Sequence, residues 1–172
     1  MTTPQRTGRA DPAHEASLRR PLMLWASAAA VLSLLHFVDH AIRGELVVSR
    51  GLDPDWNHSG WPFNTLTDAP YIFPISFVVV FGLLLGGILF TLRGRLWAGY
   101  WLGTSIFVTA LLVFVHFVGF SPGAAETPTV VAMSHPNDVV SVLALIDLFG
   151  LFAAFAALAL VAVRTRQRSR RW

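Results

Sequence analysis

Four stretches of this chain are continuously apolar for roughly 20 residues or more, about what an α-helix rising about 1.5 Å per residue needs to cross the hydrocarbon core of a bilayer. They fall at Pro21 to Ile42, Tyr71 to Leu92, Leu96 to Val118 and Val139 to Val163. Each stretch is uniformly apolar instead of alternating, and lipid offers no water to satisfy an open strand edge, so helices are expected and a barrel is not. Composition agrees: of 172 residues, 54% are hydrophobic and 13% charged, too apolar for a soluble domain of this length. The expected fold is all-α, a polytopic membrane protein whose four spans form a transmembrane helix bundle. Residues 21–164 make one membrane domain, with a flexible tail at 1–20 and a basic tail at 165–172.

The arginines orient the bundle. Arg6, Arg9, Arg19 and Arg20 precede the first span, Arg93 and Arg95 lie between the second and third, and Arg164, Arg166, Arg168, Arg170 and Arg171 follow the fourth. Only Arg43 and Arg50 fall on the opposite side. The positive-inside rule then puts both termini in the cytoplasm and the loops 44–70 and 119–138 outside, as expected of a multi-pass protein of the plasma (cytoplasmic) membrane. The same bias, with attraction of the basic tail to anionic lipid, accounts for the high pI without nucleic acid as a partner. An alternative for the N-terminus is a processed signal, because an arginine pair precedes an apolar run containing Ala28 to Ala30. The small residues lie in the middle of that run, so a retained span is expected.

Two glycine pairs, Gly82 with Gly86 and Gly99 with Gly103, have the spacing that lets membrane helices approach closely. The short connection between the second and third spans makes those two antiparallel neighbours. Trp25, Trp97, Tyr100 and Trp101 at one boundary, with Trp56, Trp61 and Tyr71 at the other, are expected to form interfacial aromatic belts.

The first span ends in LLHFVDHAIRGE, and there the pattern changes. At 100° per residue His36, Asp39, His40 and Arg43 fall on one face of a helix, extended inward by Ser33. Ionisable groups at membrane depth are costly, and they ordinarily face a bundle interior and mark a functional site. His116, near the outer end of the third span, reaches the depth of His36 and His40, while Asp147 lies deeper in the fourth. The outer loops add His58 and His135, and Ser134 or Asn137 is placed to cap the last helix.

With no cysteine in the chain, thiolate sites and thiol chemistry are excluded. Imidazoles one helical turn apart suit joint coordination of one transition metal ion, and His36, Asp39, His40 and His116 form the expected nitrogen and oxygen set. A b-type haem between His36 or His40 and His116 is the other cofactor such a bundle accommodates. His58, His135 and Asp147 are additional candidates. The sequence names no reaction, and whether the chain is an enzyme stays open. The leading expectation is a small membrane protein binding a metal ion or haem in the outer leaflet, as a redox or accessory subunit. The alternatives are a non-catalytic structural or partner-binding subunit, with a membrane partner or a second copy, and a proton-linked transporter acting as an oligomer through Asp147.

Overall fold

The computed structural model describes residues 12–49, 72–118, 135 and 137–169. The regular secondary structure over these is all helical. Helix α1 spans Pro12–Ser49, α2 Ile72–Leu92 and α3 Ala98–Val113, the last continuing into a π-helical turn at Phe114–Val118; α4 spans Asp138–Ser169. All four are long and apolar enough to cross a membrane.

Three boundaries differ from the apolar blocks for one reason: hydropathy marks what lipid can cover, and hydrogen bonding carries a helix further. Helix α1 starts at Pro12, passes through Pro21 and ends at Ser49, so residues 12–20 of the expected tail and residues 44–49 of the expected loop are helical. Helix α4 likewise runs past Arg164 to Ser169, taking in the start of the basic tail. At its other end Asn137 is the cap, its Oδ1 accepting the Val140 N–H at 3.0 Å; Ser134 lies outside the described residues.

The helices close into a ring in which α1 packs on α2 and α4, and α3 on α2 and α4. Leu22, Ala26 and Ala29 of α1 meet Leu151, Ala154, Phe155 and Leu158 of α4 in the core, with Leu84 of α2 and Trp101 and Val108 of α3. Large side chains such as Leu24, Val31, Val78, Ile106, Ile146 and Leu160 point outward and are exposed. Helices that carry large apolar side chains on their outward faces as well as in the core are compatible with a multi-pass membrane bundle.

The α2–α3 connection shows why these two helices are antiparallel neighbours. Gly94, at φ +86°, takes the left-handed position that ends α2. The Gly94 N–H reaches the Thr91 carbonyl at 3.1 Å and the Arg95 N–H that of Phe90 at 2.9 Å, so the last carbonyls of α2 are satisfied. Of the expected glycine pairs only Gly86 meets the neighbouring helix, an added Cβ lying 3.6 Å from the Tyr100 hydroxyl, and the closest approach between α2 and α3 falls elsewhere. Gly82, Gly99 and Gly103 have nothing within 4 Å of an added Cβ, whereas a Cβ at Gly87 would lie 2.6 Å from both Tyr100 and Trp101. Gly87→Ala is therefore expected to destabilise the protein by about 1–3 kcal/mol through overpacking, measurable by thermal unfolding in detergent.

Trp101 also departs from the expected belt. It is buried at the centre of the bundle, and its indole N–H donates to Thr91 Oγ1 at 3.0 Å. Thr91→Val removes that acceptor while keeping the shape. The expected loss is about 1–3 kcal/mol, the usual cost of stranding a buried donor. Trp97, half exposed, remains at the helix end.

Candidate metal centre

Helix α1 presents His36 and His40 one turn apart, and both side chains point into the bundle, 7% and 4% exposed. His116 comes from α3 and is more deeply enclosed. It sits in the π-helical turn, where side chains advance by a smaller angle per residue than in an α-helix. That wider turn swings His116 back onto the inward face carrying Val108 and Leu112. The three imidazoles meet there: His36 Nε2 is 3.1 Å from His116 Nε2 and 3.1 Å from His40 Nε2. One ring nitrogen from each residue lies within 4.8 Å of the other two.

The other ring nitrogens show which way the lone pairs face. His116 Nδ1–H donates to the Leu112 carbonyl at 2.8 Å; the carbonyl can only accept, so a neutral His116 carries its lone pair on Nε2. His36 Nδ1 lies 3.4 Å from Asp147 Oδ2, across the interface with α4. A proton on Nδ1 suits the neighbouring carboxylate and again leaves the lone pair on Nε2. Two lone pairs then face each other at 3.1 Å, which is repulsive unless a cation lies between them. Either a metal ion or an added proton, making His36 an imidazolium paired with Asp147, relieves the conflict.

The Asp147 pair is a charge contact more than an aligned hydrogen bond. At 3.4 Å the geometry is long, and both carboxylate oxygens are buried without a hydrogen-bond donor among the described residues. Such a group is expensive away from water and calls for a nearby positive charge.

Asp39 and His135 form a separate pair. The His135 ring is buried, and its Nε2 lies 3.1 Å from Asp39 Oδ1, which ties the residue just before α4 to α1. The structure thus brings His36, His40 and His116 together, sets Asp147 beside His36 and engages Asp39 with His135. His58 lies outside the described residues, as does the Arg43 side chain. Beside the three histidines a cavity of about 50 Å³ opens between α1, α2 and α3. No family model matches this chain, and neither a curated protein nor a solved structure is similar to it. Its chemistry rests on the site itself.

Sequence reasoning missed two features. The π-helical turn has no compositional mark in FVHFV, and the Asp39–His135 pair joins residues whose spacing along the chain carries no pattern.

Proposed function

We propose that this chain is a multi-pass membrane protein that holds one transition metal ion on His36, His40 and His116, in the outer half of the bilayer, and serves as a redox or accessory subunit. The observation that supports it is the convergence of three imidazole nitrogens, two of the approaches being 3.1 Å. Ligands at 2.0–2.1 Å from a common ion stand roughly 2.9 Å apart at octahedral angles and roughly 3.4 Å apart at tetrahedral ones, so both 3.1 Å approaches suit one ion, and His40 and His116, within 4.8 Å of each other, would close on it from either side of His36. A nitrogen-only set favours zinc, copper, iron or nickel over magnesium or calcium. Asp147 acts behind His36 in the carboxylate–histidine–metal arrangement that orients a ligand and raises its basicity.

A single ion is favoured over haem. Axial imidazoles of a haem stand on opposite faces of the macrocycle, with their nitrogens about 4 Å apart and the ring between them. Nitrogens at 3.1 Å are closer than that, which supports the single ion. The polar face of α1 is turned into the chain's own bundle, so a partner subunit would meet the apolar exterior instead.

Elemental analysis of protein purified in mild detergent tests the proposal, with the His36→Ala/His40→Ala double variant as control. One metal per chain in the wild type and none in the variant is the expected result; a metal-free, well-folded wild type that takes up no ion would overturn it. In that case the proton-bridged form of His36 with Asp147 becomes the leading reading, and flux in vesicles the next measurement. The absence of cysteine makes topology directly testable: a single cysteine at Thr7→Cys should react with an impermeant reagent only from the cytoplasmic side, and one at Ser59→Cys only from outside.

A further inference from the structure

Three histidines satisfy only part of a metal's coordination, and where the remaining position points decides what the ion does. The nearest carboxylate, Asp147, lies on the Nδ1 side of His36, whereas His40 and His116 approach the same ring from the Nε2 side. All three histidines border the cavity. Its remaining wall is almost wholly hydrocarbon: Phe37 of α1, Val80 of α2, Val108, Leu111 and Leu112 of α3, and Leu151 of α4. Among the described residues Ser33 and Ser76 are its only hydroxyl-bearing ones.

From this we infer that the open coordination position takes a small, uncharged diatomic molecule of the O2, CO and NO class, received in the apolar cavity beside the three histidines. The inference rests on the metal reading above. Three properties of the cavity carry it. Its volume, about 50 Å³, exceeds the roughly 10–15 Å³ that admits one water-sized molecule but falls well short of an ordinary organic substrate. Apolar walls leave an entering water with few partners, so the position is poorly hydrated and open to exchange. Among the described residues the wall offers only two hydroxyls to replace lost hydration, so a polar ligand gives up more on entering than a neutral diatomic does, whatever its attraction to the ion's charge. Such molecules also dissolve in hydrocarbon, so lipid around the helices would supply them to the site.

Carbon monoxide on the Cu(I)-loaded full-length protein in detergent is the probe, read by infrared spectroscopy beside a copper determination on the same sample. The expected result is one copper per chain and a C–O stretching band that is absent from the His36→Ala/His40→Ala variant. Copper bound at one per chain without such a band overturns the inference while leaving the metal site standing. Failure of the wild type to hold copper overturns the inference, and if the elemental analysis above also finds no other ion it overturns the metal reading too; the metal determinations tell the two failures apart. Val108→Phe, which fills the cavity without touching a ligand, should retain copper and weaken CO binding by about tenfold or more. Unchanged CO affinity in a copper-replete Val108→Phe protein overturns the cavity assignment; if that variant does not retain copper, Val80→Leu carries the same comparison with a smaller intrusion.

Discussion

Replacing His116 by alanine is expected to abolish stoichiometric metal binding, the largest effect of any single substitution. His36 and His40 share one helix and supply two nitrogens at most from the same side. His116 closes the site from α3, with its Nε2 3.1 Å from that of His36. Loss of an outer partner commonly costs roughly 10–100-fold in metal affinity, and loss of a direct ligand from a set of three should exceed that. The measurement is a competitive chelator titration with elemental analysis. His135→Ala is the matched control: it removes an equally buried imidazole, but one whose Nε2 is engaged with Asp39 at 3.1 Å. Retention of metal by His135→Ala alongside its loss from His116→Ala supports the three-histidine set. Equal loss from both would show that the ligands are not these three. Because metal competes with protons for imidazole nitrogens, wild-type loading should also weaken on acidification.

Much of this site was legible in the sequence because helices this apolar are compatible with a lipid surround, where polar residues stand out. In water, an H-x-x-D-H stretch would carry little weight, since an exposed helical face tolerates any polar residue. In a span, each ionisable group must find a partner inside the protein, so His36, His40 and Asp147 could be placed facing inward from their positions alone. Helical periodicity also grouped His36 and His40, since residues one turn apart share a face. It did equally well by grouping Asp39 with them, and there the pattern was too coarse: the ring of His135 draws Asp39 toward the start of α4. One helix face about 100° wide still contains two directions, and which neighbour stands in each is a tertiary fact.

The glycine pairs mislead for a related reason. Small residues permit close approach but do not compel it; Gly82, Gly99 and Gly103 face open space, and the contact falls at Gly87, where two aromatic rings of α3 press against α2. Trp101 was assigned to a belt by its position near a span end, yet a hydrogen-bond acceptor at Thr91 lets its indole be buried. Both differences come from packing partners that no single segment displays.

Asp147 should give two effects of opposite sign. Asp147→Leu is expected to raise the stability of the metal-free protein by about 1–3 kcal/mol, because both carboxylate oxygens are buried without a hydrogen-bond donor among the described residues. The same variant should bind metal roughly 10–100-fold more weakly, since His36 loses the negative charge 3.4 Å behind its Nδ1. Asp147→Asn keeps the shape and an acceptor oxygen without the charge, so its metal affinity should fall between wild type and Asp147→Leu. A residue that weakens the empty bundle yet strengthens the loaded site is explained by the ion, because a nearby cation is what makes a buried carboxylate favourable. Thermal unfolding of the stripped protein and a chelator titration of the loaded one read the two effects separately. If Asp147→Leu instead lost stability when metal-free and left metal affinity unchanged, Asp147 would be the structural counter-ion of a protonated His36, and the charge the bundle is built to hold would be a proton.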